Sequence, residues 1–196
     1  MPPEDHQVQI SGAFLASEED MSDTPNMSEQ IAGQGGMIPA HGLTAAIHIG
    51  ESDLPFVDLG DGSKLQLLQV DLNQGLWVVR TKFAPGYKVD KHYHTGSVFA
   101  VTLEGSWYYK EYPDYVNTKG SYLYEPAHSV HTLTVSEDNE GETDVWFAIY
   151  GANINVDDDG NVIGIVDAQS ILAAYQGLCE AQGLSADKVI VLGAPT

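Results

Sequence analysis

Two histidines one residue apart, His92 and His94, are the first side chains in this sequence whose type and spacing can do chemistry; they lie in residues 91–96, KHYHTG. Side chains on a β-strand alternate between its two faces. On a strand, both imidazoles therefore point to the same side, and two nitrogens can converge on one metal ion. The same pattern also occurs by chance as a polar patch on a sheet, so the rest of the chain must decide between these alternatives.

A third histidine, His131, follows on a later segment. It belongs to residues 120–135, GSYLYEPAHSVHTLTV, which have the pattern of strand, proline turn and strand. Divalent iron and similar ions accept neutral imidazole ligands, and three such ligands on one face leave coordination positions open for substrate and dioxygen. Three histidines on two neighbouring strands therefore predict a metal site.

The overall composition limits the partners of such a site. The chain has 196 residues, enough for one domain with a sizeable core. Its formal net charge of −20 arises from 28 acidic and 8 basic residues and repels nucleic-acid phosphates and anionic lipid headgroups. Because the sequence shows neither a secretion signal nor a membrane-spanning apolar run, we expect a cytoplasmic protein that binds neither nucleic acid nor membrane. The single cysteine, Cys179, excludes an intrachain disulfide and a multi-cysteine zinc site.

Composition divides the chain into an arm and a β-rich body. Residues 1–40 are rich in Asp, Glu, Ser, Gly, Pro and Met, and we interpret them as an acidic, flexible N-terminal arm. After Thr44, short β-branched and aromatic segments follow one another without helices between them, which favours an antiparallel sandwich or barrel. The predicted strands are residues 65–70, 76–83, 97–103, 106–111, 120–125, 130–135, 144–150 and 162–166.

One helix is predicted near the C-terminus. Asp167 can cap its start, and Gly183 can end it. Between them three apolar residues repeat at helical spacing: Ile171, Tyr175 and Leu178. We expect this apolar stripe to pack against the outside of the barrel.

The acidic segment 155–162, NVDDDGNV, matches a calcium-binding loop only in part. Val166 occupies the place of the bidentate glutamate of an EF-hand, and flanking helices are not predicted. An Asp-Gly hairpin turn explains this segment adequately.

The histidine segments resemble the two sequence motifs of the cupin superfamily. The matching residues are the glycines of both motifs, the proline of the second and the three histidines: Gly86, His92, His94, Gly105, Gly120, Pro126 and His131. The resemblance covers residues 44–166 and implies an all-β, single-domain cupin with an extended N-terminal arm. Residues 41–166 would form its jelly-roll β-barrel, and residues 167–196 a C-terminal helix and tail packed on the barrel. The resemblance also implies a metal held in the barrel mouth by His92, His94 and His131.

Three positions depart from the cupin motifs. Val98 stands where the first motif usually has a glutamate, which indicates a three-histidine site rather than three histidines and a carboxylate. His128 replaces a glycine of the second motif, and Val135 replaces its terminal asparagine. His128 is therefore either a spare ligand or acid–base group beside the metal, or a solvent-facing turn residue.

Two segments resemble the 2,4'-dihydroxyacetophenone dioxygenase family, which is related in its site to acetylacetone (diketone-cleaving) dioxygenase. They are residues 103–112, LEGSWYYKEY, with the pattern Gly-x-Trp-x-Tyr-x-Glu, and residues 120–133, GSYLYEPAHSVHTL. The resemblance implies an iron(II) enzyme, with zinc, nickel or manganese as alternative metals, that uses dioxygen to cleave a carbon–carbon bond beside a carbonyl. The implied substrate is a small carbonyl compound such as 2,4'-dihydroxyacetophenone, and the implied assembly is a homodimer or homotetramer.

The same resemblance suggests the residues that handle the substrate proton. Glu125, just before the proline turn, is implied as the catalytic base. Its alternative is a surface carboxylate of an acidic protein. Tyr109 is a candidate for orienting a phenol or carbonyl oxygen, and its alternative is a packing residue. Trp107, Phe99 and Trp146 are either apolar pocket walls or core residues.

Two other functions stay open on the sequence alone. The same three histidines can hold zinc or nickel in a non-catalytic metal-binding cupin, and other cupin enzymes are metal-dependent lyases, isomerases or hydrolases of small acids. Uptake of dioxygen with an aryl hydroxyketone or a β-diketone distinguishes the dioxygenase from both.

Overall fold

The computed structural model describes residues 45–193, so the predicted acidic arm, residues 1–40, lies outside the described part of the chain. Within these residues one α-helix, α1 (Ala168–Ala181), accompanies a series of β-strands. In chain order the strands are β1 (Val57–Asp58), β2 (Ser63–Asp71), β3 (Leu76–Phe83), β4 (His92–His94), β5 (Val98–Glu104), β6 (Ser106–Tyr109), β7 (Asn117–Thr118), β8 (Tyr122–Glu125), β9 (Leu133–Val135), β10 (Thr143–Tyr150), β11 (Asn153–Val156), β12 (Val162–Val166) and β13 (Ile190–Leu192). No helix within residues 45–193 is long and apolar enough to cross a membrane.

The strands form three sheets. The largest has the order β1-β2-β3-β10-β5-β8 with antiparallel neighbours, and β13 adds to β2 as a parallel strand. The two smaller sheets have the orders β12-β11-β4 and β7-β6-β9. Since β10 lies between β3 and β5, strands that are distant in sequence become neighbours, as in a jelly roll. The predicted all-β architecture with one C-terminal helix is confirmed.

The core is filled by side chains that alternate along the long strands. The inward-facing residues of β5 and β10 are Val98, Ala100, Thr102, Val145, Phe147 and Ile149. Trp107 on β6 is fully buried among them and donates its indole N–H to the Thr102 hydroxyl at 2.9 Å. This hydrogen bond satisfies both buried groups, so the indole N–H is not left without a partner.

The structure contains all the predicted strands, although several differ at their ends. The segment predicted as residues 106–111 stops at Tyr109, where the chain turns and the Tyr112 N–H donates to the Tyr109 carbonyl at 2.8 Å. The predicted strands do not include β1, β7, β11 or β13, and β4 was expected only from the alternation of His92 and His94. Two of these, β1 and β7, have two residues each, too few for any periodic pattern. Strand β11 was not predicted because it contains Asn153 and Asn155, and asparagine is depleted in strands.

Helix α1 begins and packs as predicted. The Asp167 carboxylate accepts the Ser170 N–H at 2.8 Å, and the Ser170 hydroxyl oxygen accepts the Asp167 N–H at 2.8 Å. Tyr175 is fully buried and donates its hydroxyl to the Pro55 carbonyl at 2.6 Å. Cys179, one turn later, is also buried. The apolar stripe of the helix therefore joins the core of the large sheet.

The acidic segment 155–162 forms the predicted hairpin turn between β11 and β12. The Asp157 N–H donates to the Asn161 carbonyl at 3.0 Å, and the Asp157 carboxylate accepts the Asn161 N–H at 2.8 Å. Gly160 has a φ of 85°, a conformation that glycine adopts without strain. Turn geometry thus accounts for this segment.

The cap of α1 gives a testable prediction for stability. Replacing Asp167 by Ala should lower the free energy of unfolding by about 1 kcal/mol, whereas Asp167→Asn should keep most of it, because both Asp and Asn accept the Ser170 N–H. That N–H also holds the pKa of Asp167 below its usual value. The charged cap therefore stabilises the protein above about pH 4, and this contribution is lost as the pH falls through the lowered pKa.

Urea unfolding of the wild type and variants at pH 7 and at low pH measures this contribution. Asp158→Ala is the matched control, since Asp158 is an exposed residue of the hairpin turn. Equal stability of the Asp167→Ala and Asp158→Ala variants would contradict the capping role.

Candidate metal centre

His92 and His94 lie on the short strand β4 and face the same side, as the sequence predicts. Both are buried, with 6% and 5% of their surface exposed, whereas Tyr93 between them is partly exposed. In the ladder between β4 and β11, His92 pairs with Asn155 and His94 with Asn153. This ladder fixes the direction in which both imidazoles point.

His131 reaches the same place through an isolated antiparallel bridge to His92. The His92 N–H donates to the His131 carbonyl at 3.0 Å, and the His131 N–H donates to the His92 carbonyl at 2.9 Å. Directly opposite residues in such a pair carry their side chains on the same face. One ring nitrogen from each of the three histidines lies within 4.8 Å of those of the other two. The structure therefore brings together the three predicted ligands in a geometry that can hold a metal ion.

The hydrogen bonds around the imidazoles leave nitrogen lone pairs for a metal. The Nδ1 of His92 lies 2.6 Å from the Asp90 carbonyl, so Nδ1 carries the proton and Nε2 is free to bind. Nε2 of His131 and Nδ1 of His94 are buried and have no hydrogen-bond partner among the described residues. Burial lowers the pKa of His92, and it lowers the pKa of His94 to about 4, so both rings are neutral near pH 7. Neutral imidazoles with unpaired nitrogens fit a transition-metal ion.

Glu125, the last residue of β8, adds a carboxylate to this cluster. It pairs with Val98 across β5 and β8, so its side chain points to the same face as Val98. Its Oε2 lies 3.2 Å from Nε2 of His131 and 3.5 Å from Nε2 of His94, and it has no hydrogen-bond partner among the described residues. The carboxylate that the first motif lacks at Val98 is thus supplied next to the histidines by the neighbouring strand.

Tyr109 on β6 joins Glu125 to His131. Its hydroxyl donates to Oε1 of Glu125, and its ring stacks on the His131 ring with centroids 4.2 Å apart and planes inclined by 24°. Burial and the adjacent carboxylate raise the pKa of Tyr109 well above its usual value, so its hydroxyl stays a donor. Burial alone would raise the pKa of Glu125, but contacts with His131, His94 and the Tyr109 hydroxyl hold this pKa below its usual value. The pair is therefore an ionised carboxylate held by a neutral phenol.

A cavity of about 200 Å³ inside the barrel leads to this cluster. His92, His94, Tyr109 and Glu125 form its polar end. Its remaining wall is mainly apolar and includes Leu65, Trp77, Val79, Phe83, Leu133, Phe147 and Ile149.

A second cavity, of about 310 Å³, reaches Tyr109, Glu125 and His131 from between β8 and the segment after β6. Three exposed tyrosines line it: Tyr112, Tyr115 and Tyr124. These tyrosines are not among the predicted site residues, although the density of tyrosine between residues 108 and 124 was a usable signal. Among the described residues, those lining either cavity include neither Lys nor Arg.

The remaining aromatic candidates lie outside both cavities. Trp107 is core, and Phe99 and Trp146 alternate with the inward-facing residues of β5 and β10, so they face the other side of the large sheet. The core alternative therefore holds for Trp107, whereas Phe99 and Trp146 are neither pocket walls nor core residues but half-buried side chains on the outer face of this sheet.

His128 is exposed and has a φ of 67°, in the left-handed region where the cupin motif has glycine. Its N–H donates to the His94 carbonyl at 2.8 Å, which ties the turn to β4. Replacing His128 by Gly should raise the free energy of unfolding by up to about 1 kcal/mol. The reason is that relief of the left-handed conformation, about 1–2 kcal/mol, exceeds the entropic cost of glycine, about 0.5–1 kcal/mol.

Ala127→Gly is the matched control for this prediction, because Ala127 lies in the same turn without a positive φ. It should destabilise the protein in the same urea titration. If His128→Gly destabilised the protein as much as Ala127→Gly, backbone strain would not be the property that matters at this position.

The sequence matches the family of ChrR cupin-like domains over residues 44–147. Among solved structures, a cupin-like protein of unknown function from Ralstonia eutropha JMP134 is 37% identical, with 79% of this chain and 96% of that chain covered and a TM-score of 0.71. An RmlC-like cupin from the same organism is 25% identical, covering 72% of this chain and 91% of that one, with a TM-score of 0.67. No curated protein matches the sequence.

Acetylacetone dioxygenase from Acinetobacter johnsonii has the same fold at 18% identity, with 70% of this chain and 95% of that chain covered and a TM-score of 0.59. The predicted resemblance to cupins is thereby confirmed, whereas membership of the 2,4'-dihydroxyacetophenone dioxygenase family stays a prediction. The chain belongs to the family of ChrR cupin-like domains.

Proposed function

We propose that the chain is a non-haem iron(II) dioxygenase that cleaves a carbon–carbon bond next to a carbonyl in a small hydroxyketone or diketone. For 2,4'-dihydroxyacetophenone, the two oxygen atoms of dioxygen would appear in the two products, 4-hydroxybenzoate and formate. The observation that carries this proposal is the buried cluster of three convergent histidines and an ionised carboxylate at the end of an apolar cavity.

The donor set supports a transition metal. His92, His94 and His131 would hold the ion, and imidazole nitrogen suits iron, zinc, nickel and copper more than magnesium or calcium. Iron(II) is the proposed metal because three neutral ligands leave its positive charge available to a substrate that binds as an enolate or deprotonated hydroxyketone. When bound, iron(II) would supply a Lewis acid and the redox chemistry that dioxygen requires.

Glu125 is the proposed base that removes the substrate proton. Its Oε2 has no donor among the described residues and lies within 3.5 Å of two of the histidines, so it faces the place where the substrate oxygens would sit. Its Oε1 is held by the Tyr109 hydroxyl, which fixes the direction of the free lone pairs. Tyr109 itself can turn the same hydroxyl towards a substrate oxygen once Glu125 is protonated.

The cavity favours an uncharged substrate over a small acid. Its volume of about 200 Å³ slightly exceeds the cavity of about 150 Å³ that holds a benzene molecule in another protein. Since the described lining residues of both cavities include neither Lys nor Arg, a substrate carboxylate away from the metal would have no basic side chain to pair with, and its burial would cost several kcal/mol. This observation supports a ketone substrate rather than the alternative lyase, isomerase or hydrolase of a small acid.

Metal content is the first test. Wild-type protein loaded anaerobically with iron(II) should retain about one ion per chain after gel filtration, measured by elemental analysis. His92→Ala and His131→Ala should retain almost none, because each removes one of three ligands. His48→Ala is the matched control, since His48 is exposed and is not part of the cluster. Equal iron content in all four proteins would contradict the site.

Oxygen uptake tests the reaction. Iron-loaded wild type should consume dioxygen with 2,4'-dihydroxyacetophenone, releasing 4-hydroxybenzoate and formate, or with acetylacetone, releasing acetate and methylglyoxal, and chromatography quantifies these products. Glu125→Gln should lower kcat by about 100-fold or more while keeping its iron, because the base is lost and the ligands are not. Glu140→Gln, an exposed glutamate outside the site, should behave as wild type.

Two outcomes would contradict the proposal. If iron-loaded wild type consumed no dioxygen with any aryl hydroxyketone or β-diketone, the chain would be a metal-binding cupin of another function. If Glu125→Gln kept full activity, the base would be a different group.

A further inference from the structure

The strand β6 carries a pattern, Gly-x-Trp-x-Tyr-x-Glu, of which the proposed chemistry uses only the tyrosine. Trp107 packs in the core, and Tyr109 holds Glu125 and stacks on His131. Glu111 comes next at the same spacing, is exposed, and lies beyond the end of the strand. Its contacts show what this third residue does.

The Glu111 carboxylate binds Thr132 through both of its oxygens. Oε2 accepts the Thr132 N–H at 2.8 Å, and Oε1 accepts the Thr132 hydroxyl at 2.9 Å. The Lys110 N–H donates to the Thr132 carbonyl at 3.0 Å. Because the backbone turns away after Tyr109, the side chain of Glu111 supplies the acceptor that continues the pairing of β6 with β9 up to Thr132.

Thr132 is the residue after His131, and His131 lies outside the regular strands. Its backbone is fixed on one side by the two-bond bridge to His92 and on the other by the Glu111–Thr132 contacts. A metal site requires its ligands to be held to within about 0.5 Å, which depends on the groups that support each ligand.

We propose that Glu111 is a positioning residue that holds the His131 imidazole in register with the other two ligands. This inference rests on the proposed metal centre but not on the proposed reaction. Removing the carboxylate should free the Thr132 N–H and hydroxyl, let residues 131–132 shift, and weaken metal binding by about 10- to 100-fold, as the loss of supporting partners does at other metal sites.

Three variants separate positioning from a general loss of charge or stability. Glu111→Ala removes both acceptors. Glu111→Gln keeps an amide oxygen for the Thr132 N–H at nearly the same size and should restore most of the metal affinity. Glu104→Ala is the matched control: it removes an exposed carboxylate that pairs with Lys119 at 2.8 Å and does not contact the histidine segments.

Cobalt(II) is the probe, because its affinity can be measured against a chelator and its visible absorption reports the ligand geometry. We expect Glu111→Ala to bind cobalt about 10- to 100-fold more weakly with a shifted spectrum, and Glu111→Gln and Glu104→Ala to match wild type. A Glu111→Ala protein with wild-type affinity and spectrum would overturn the proposal. So would an equal loss in Glu111→Ala and Glu104→Ala, which would point to net charge alone.

Amide hydrogen exchange in the metal-free proteins provides a readout that needs no metal. The amides of Thr132 and His131 should exchange at least tenfold faster in Glu111→Ala than in wild type, with little change in Glu104→Ala or Glu111→Gln. If wild type bound no metal, the proposed centre would fail, and exchange would still decide whether Glu111 positions His131. Unchanged exchange at both amides would overturn the inference in either case.

Discussion

The candidate site depends on the two backbone hydrogen bonds between His92 and His131. These residues belong to segments that are far apart in sequence, and the bridge makes them directly opposite neighbours, so their side chains share one face. His94 joins that face because it follows two residues later on β4. Two neighbouring contacts hold the paired segments in place: the β4–β11 ladder on one of them, and the turn after Pro126, whose His128 N–H donates to the His94 carbonyl. Without the bridge, His131 would not lie beside His92 and His94, and the three ring nitrogens would not converge within 4.8 Å.

The chemistry that this pairing allows comes from burying polar groups in an apolar barrel. Glu125 is ionised although it is only 4% exposed, and its Oε2 and the Nε2 of His131 have no hydrogen-bond partner among the described residues. Such groups cost stability when unpaired, and they are common where a protein binds a cation or transfers a proton. The same low dielectric keeps His94 neutral and Tyr109 protonated.

Strand β6 and the turn after it support the site from a different sheet than β4. Their alternating residues bind three different elements: Trp107 binds Thr102 on β5, Tyr109 binds Glu125 on β8, and Glu111 binds Thr132 before β9. Trp107 and Tyr109 share one face of the strand, and Glu111 reaches Thr132 from the turn that follows it. This explains why the pattern Gly-x-Trp-x-Tyr-x-Glu accompanies the histidines, although only its tyrosine touches the proposed centre.

The sequence by itself determined the strands with a clear period, the capped helix, the turn at Gly160 and the identity of the three histidines, because these follow from local alternation, capping and motif spacing. It could not determine that Glu125 completes the cluster. The family resemblance implied Glu125 as a base, but only the cross-strand register between β5 and β8 places its carboxylate beside the histidines. Nor could it show Glu111 beside Thr132 or the two cavities that meet at Tyr109, because these arise where segments distant in sequence pack together. The residue types and their local spacing are properties of the sequence. Strand register and packing, which no local pattern specifies, decided which side chains come into contact.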